Sequence, residues 1–62
     1  MPIIHVELLE GRTVDQKREF ADMVTREGAR ILRCAPGDFN VVFVPVSRDD
    51  WATAGKLESD PK

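Results

Sequence analysis

The sequence predicts an α/β protomer built as strand, helix, strand, with the two strands parallel and a short hairpin or arm at the C-terminus. Three observations predict it. Residues Ile3 to Leu9 are rich in β-branched and aliphatic types, residues from Val14 onward carry apolar side chains at helical spacing, and Phe39 to Val44 form a second apolar run of strand formers. Two strands joined by about twenty helical residues make a β-α-β unit, whose crossover is right-handed and whose strands lie parallel.

Each element has a local cause. In the first run Ile4, Val6 and Leu8 share one wholly apolar face, while Ile3, His5, Glu7 and Leu9 share the other. Glu10-Gly11-Arg12 breaks the pattern. Thr13-Val14-Asp15-Gln16 then fits a capping box, in which the Thr13 hydroxyl and the Gln16 side chain satisfy amides that the first helical turn leaves unpaired. Within the helix Phe20, Met23, Val24, Ile31 and Leu32 form an apolar stripe with Ala21, Gly28 and Ala29 as small neighbours. Lys17, Arg18, Glu19, Asp22, Arg26, Glu27, Arg30 and Arg33 read as a solvent face, supported by pairs such as Asp22 to Arg26. Pro36-Gly37 stops the helix, because proline lacks the amide that would continue it and disfavours helical geometry in Ala35. The near-continuous apolar character of Phe39 to Val44 predicts a strand buried on both faces, and Pro45 limits how far it can donate hydrogen bonds. Ser47 to Asp50 reads as a polar turn leading into Trp51-Ala52-Thr53-Ala54-Gly55.

Residues 1–62 form a single domain, and a domain of about this size buries only about 60% of the surface its unfolded chain exposes. With Cys34 the one cysteine and no metal-ligand cluster, neither disulfide nor metal can staple it. Self-association is the remaining route: the strand edges and the second face of the Phe39 to Val44 run are expected to meet other copies of the chain. Nine Lys and Arg are dispersed among eleven Asp and Glu, which leaves no electrostatic footprint for nucleic acid. No basic segment followed by a long apolar run occurs, so a cytoplasmic protein with no membrane partner is expected. Pro2 is the first candidate for chemistry. Once Met1 is removed it is a free secondary amine at a strand end; an ordinary α-amino group titrates at about 7.7–8.0, and a cationic neighbour or partial burial lowers that. His5 reads as a structural or surface histidine, and Cys34 as a buried structural thiol.

Several of these segments together resemble one family. The opening Pro-Ile-Ile-His-Val-Glu-Leu-Leu-Glu-Gly-Arg, the helix start Thr13-Val14-Asp15-Gln16-Lys17, the stop at Ala35-Pro36, the apolar second strand and Trp51-Ala52-Thr53-Ala54-Gly55 are similar to 4-oxalocrotonate tautomerase and its short-chain relatives in the tautomerase superfamily. The resemblance spans nearly the whole chain. It implies a tautomerase-like β-α-β protomer assembled as a homohexamer, a trimer of dimers, with sites between chains near each N-terminal proline. It also implies a cofactor-free isomerase of aromatic catabolism, acting by keto–enol proton transfer on an unsaturated 2-oxo or 2-hydroxy acid and requiring no metal.

Residue by residue, the resemblance makes Pro2 the general base and Arg12 the arginine that binds a substrate carboxylate and draws charge from the reacting carbon. Trp51 stands where the family has an aromatic wall, usually Phe. The family's second arginine, which grips the 2-oxo acid end, falls on Asn40, and no arginine lies between Arg33 and Arg48. The family's Gly-x-Gly-Gly segment is altered to Ala52-Thr53-Ala54-Gly55. These departures leave two alternatives beside the tautomerase: a non-catalytic or hetero-oligomer subunit of the same fold, or a dehalogenase, hydratase or decarboxylase acting on a small unsaturated or oxo acid.

Overall fold

The computed structural model describes all residues from Met1 to Lys62. Strand β1 (Ile3–Leu9) is followed by helix α1 (Val14–Leu32), a short 3-10 turn at Pro36–Asp38, strand β2 (Asn40–Val46), a second 3-10 turn at Arg48–Asp50, and a small hairpin of β3 (Ala52–Thr53) and β4 (Lys56–Leu57). Strands β1 and β2 are parallel and in register from Ile3 opposite Asn40 to Leu9 opposite Val46, as the β-α-β pattern requires. The hairpin is antiparallel and turns at Ala54-Gly55, both at positive φ, the mirror-image turn that matches strand twist.

Helix α1 begins where the capping box predicts. Thr13 Oγ1 accepts the Gln16 amide N–H at 3.1 Å, and Gln16 Oε1 accepts the Thr13 N–H at 2.9 Å. Along its outer side Arg18 pairs with Asp15, Arg26 with Asp22 and Arg30 with Glu27, all exposed; exposed pairs of this kind contribute only tenths of a kcal/mol each. The end of the helix departs from the sequence expectation. It stops at Leu32, three residues before the Ala35-Pro36 step, because Arg33 takes a left-handed conformation (φ 56°) and the Cys34 N–H folds back on the Ala29 carbonyl at 3.1 Å. Pro36 instead opens the 3-10 turn, where its fixed φ suits the first position.

The second strand also differs in extent, running from Asn40 to Val46. Hydrogen bonds from Asn40 N–H to the Pro2 carbonyl (3.0 Å) and from Glu10 N–H to the Val46 carbonyl (2.9 Å) set the alternation: Asn40, Val42, Val44 and Val46 turn their backbone groups towards β1, whereas Val41, Phe43 and Pro45 turn theirs outward. The N–H that Pro45 lacks therefore belongs to the outer edge, and the strand continues through it to Val46. Burial on both faces is not found in the protomer. The single helix covers only the face carrying Ile4, Val6, Leu8, Val41 and Phe43; on the other, Ile3 is 58%, Val42 42% and Val44 39% exposed.

Covering is thin throughout. Ala29 is the one buried residue of 62, and the chain measures 45 × 23 × 14 Å with a radius of gyration of 14.9 Å, against about 11 Å for a compact domain of this length. Helix packing leans on a close contact between Gly28 and the half-buried Phe39. A β-carbon at Gly28 comes within 2.7 Å of Phe39 Cε2 and closer still to Cζ. Gly to Ala inside a helix ordinarily gains about 1 kcal/mol, but overpacking costs about 1–3 kcal/mol. Gly28→Ala is thus expected to lower stability by up to about 2 kcal/mol, and Phe39→Leu in the same chain to recover part of the loss, both read from urea midpoints at one protein concentration.

No helix is long and apolar enough to cross a membrane.

Candidate active site

The sequence candidates fall into two groups at opposite ends of β1, a strand roughly 20 Å long at about 3.3 Å per residue. Pro2 and Asn40 are neighbours at the start, joined by the Asn40 N–H to Pro2 carbonyl bond. The Asn40 side chain is exposed on the helix-free face and donates through Nδ2 to the Asp38 carbonyl at 3.4 Å. With Met1 attached, the Pro2 nitrogen is a tertiary amide and has no lone pair to offer a proton.

Arg12 lies at the far end. Gly11, at φ 120°, adopts a backbone conformation that side chains disfavour, and it turns the chain out of β1 into the helix cap. Arg12 thereby lines a cleft of about 300 Å³ on the helix-covered face, together with Val6, Leu8, Gln16, Lys17, Phe20 and Phe43. Its floor is apolar, and the Phe20 and Phe43 rings meet edge to face at 6.1 Å. Its rim is cationic. Such a combination, apolar body below and positive charge above, suits a small organic anion.

Lys17 was assigned by sequence to the solvent face of the helix; the structure half-buries it in this cleft instead. The signal lay beside the capping box, because the residue before the cap and the fourth helical residue are the positions that often pack together at a helix start. Here those residues are Arg12 and Lys17.

Trp51, half-buried, lies beyond the end of β2, where its carbonyl accepts the Glu58 N–H at 2.8 Å and ties the start of the hairpin to its return strand. Within one protomer it is thus carried on the hairpin, away from the Pro2 end of the sheet. His5 is exposed on the helix-free face, and Cys34 is a half-buried free thiol.

The geometry defines a chain of the β-α-β class, with Arg12 in a cation-rimmed cleft at one end of its first strand and Pro2 beside Asn40 at the other. Comparison with known proteins gives the same class a family. Residues 2–60 match the family of tautomerase enzymes. A probable tautomerase of Halalkalibacterium halodurans is 38% identical over 60 residues, covering 97% of this chain and 98% of that one. The 2-hydroxymuconate tautomerase of Bacillus subtilis is 43% identical over 61 residues, covering 97% of each. Among solved structures, a 4-oxalocrotonate tautomerase homologue superposes with a TM-score of 0.94 at 37% identity, over 100% of this chain and 98% of its own. The chain belongs to the tautomerase family and is an isomerase.

Proposed function

We propose that this chain is a cofactor-free tautomerase in which the Pro2 amine, freed by removal of Met1, is the general base for keto–enol proton transfer on an unsaturated 2-oxo or 2-hydroxy acid. The observation that carries the reading is the separation of Pro2 from Arg12 along a strand whose outer edge is open. Ile3, His5, Glu7 and Leu9 turn their backbone N–H and C=O groups away from β2, and none of them is proline. A second copy adds to this edge about a two-fold axis perpendicular to the sheet, which runs the two β1 strands antiparallel and keeps both helices on one face. Each Pro2 then meets the Leu9 to Arg12 end of the other copy. Two complete sites arise from two incomplete chains.

In such a site the amine takes the proton from the enol oxygen and returns it, as the ammonium, to the carbon that becomes saturated. Arg12 remains cationic throughout, holds a substrate carboxylate through paired N–H donors and stabilises charge spreading towards it. Asn40 leaves a neutral donor beside Pro2, and Trp51 supplies apolar wall from a hairpin contributed by a neighbour. The exposed Ile3, Val42 and Val44 face calls for burial beyond the pair, which a homohexamer, a trimer of dimers, provides. The chain works in the cytoplasm, and likeness to a 2-hydroxymuconate tautomerase supports a small unsaturated acid as substrate.

The test is the ketonisation rate of phenylenolpyruvate and 2-hydroxymuconate on protein shown by intact mass to lack Met1. Turnover that falls about 10²-fold or more, the scale of a positioned general base, when Met1 is retained, and falls also in Pro2→Ala, is the expected result. Rates indifferent to both changes sink the reading.

A further inference from the structure

We propose that Lys17 is the second cation of the site, joining Arg12 in holding the substrate carboxylate remote from Pro2, so that the enzyme selects a dicarboxylate although Asn40 stands where the family has an arginine. The assignment rests on the tautomerase reading of this cleft. Its support is in how the chain disposes of its charge.

Of nine Lys and Arg residues, Arg18, Arg26, Arg30, Arg48 and Lys62 are in ion pairs with acidic side chains. Arg12, Lys17, Arg33 and Lys56 are not. In a chain with more acids than bases, two of these four unpaired cations line the same apolar cleft. Their neighbourhood is no accident of flexible side chains, because the capping box at Thr13 and Gln16 fixes the backbone on which both are mounted. Positions one before the cap and four into the helix ordinarily carry two hydrophobic residues that pack on each other. Two like charges there repel, and no carboxylate lines the cleft to relieve them. The nearest acid in the first turn, Asp15, is engaged with Arg18. Two cations on one apolar cleft with no acid among its lining residues leave the counter-charge to a ligand.

The ligand's chemistry follows from the lining. Its charged end is anionic and meets a guanidinium, an ammonium and the Gln16 amide NH₂, whose carboxamide oxygen is already taken by the Thr13 N–H. Its body is flat or apolar, over Val6, Leu8, Phe20 and Phe43. At about 300 Å³ the cleft is at the small end of ligand pockets, the size of a short acid and not of a nucleotide. Lys17 is half-buried among the lining residues, and a lysine can cover apolar wall with its methylene stem while its ammonium stays in water at the rim.

The experiment compares Lys17→Met, which keeps the stem and the helix propensity, with Lys17→Arg, which keeps the charge. Kinetics use 2-hydroxymuconate, with two carboxylates, and phenylenolpyruvate, with one. Calorimetric binding uses the unreactive pair 2,4-hexadienedioate and 2,4-hexadienoate. Lys17→Met is expected to raise KM for the dicarboxylate about tenfold or more, the scale of one charge-assisted hydrogen bond. Little change is expected in kcat or in the monoacid KM, and Lys17→Arg restores the wild-type ratio. Binding of the hexadienedioate weakens about tenfold, that of the hexadienoate hardly at all. Equal effects on both acids, no effect on either, or a wild-type protein that fails to bind the hexadienedioate each overturn the assignment. The two readings fail separately: Lys17-dependent dicarboxylate binding without turnover removes the proline mechanism and leaves Lys17 in place, whereas proline-dependent turnover indifferent to Lys17 does the reverse.

Discussion

Chains carrying Arg12→Ala and chains carrying Pro2→Ala, each about 10²–10³-fold impaired alone as expected for loss of a positioned electrostatic or proton-transfer group, recover about a quarter of wild-type turnover when unfolded together and refolded in equal amounts. The figure follows from counting sites in a two-fold pair. Half of the randomly formed pairs contain one chain of each kind, and each mixed pair has one site with both groups intact and one with neither. A site made within one protomer gives no recovery whatever the mixing ratio. The roughly 20 Å that β1 puts between its two ends is the reason recovery is expected, and the mixing experiment separates an inter-chain site from an intra-chain one without any knowledge of the natural substrate.

His5→Pro abolishes assembly, and turnover with it. The His5 N–H points away from β2, as the Asn40 to Pro2 and Glu10 to Val46 hydrogen bonds establish, so the substitution leaves the internal ladder whole while removing a donor from the outer edge and setting a ring in the path of an incoming strand. His5→Ala keeps the N–H and is expected to assemble and turn over near wild-type levels. Sedimentation or light scattering at micromolar concentration reads the difference. Assembly that survives His5→Pro moves the interface off the β1 edge.

Much of the fold was legible because local chemistry decides it. The bounds of β1 follow from a glycine after an alternating run, and the start of α1 from Thr13 and Gln16, whose side chains answer each other across one turn. The end of the helix was not legible, since nothing in Arg33 announces a left-handed residue; that conformation is chosen by the return of Cys34 to Ala29. The extent of β2 was misjudged because a proline's effect depends on which edge its missing N–H faces, a property of register. The lone helix covers one face of β2, and the face left open is the one the sequence assigns to other copies of the chain. The candidate site residues Pro2, Arg12, Asn40 and Trp51 could be named from family resemblance, but their division between the ends of the chain required the parallel pairing. A lysine on the polar side of a helix reads as solvated, and the half-burial of Lys17 in the Arg12 cleft emerges only from the fold.

That only Ala29 is buried has a consequence for how such an enzyme behaves in a cell. A protomer with almost no interior has little folding free energy of its own, and under the assembly proposed above its stability is tied to its abundance through mass action. At scarce expression newly made chains remain exposed to proteolysis, and at plentiful expression they shelter one another. Activity is then expected to rise more steeply than gene dosage at low copy number, as roughly the square where pairs are the minor species, so that a modest change in transcription acts as a threshold.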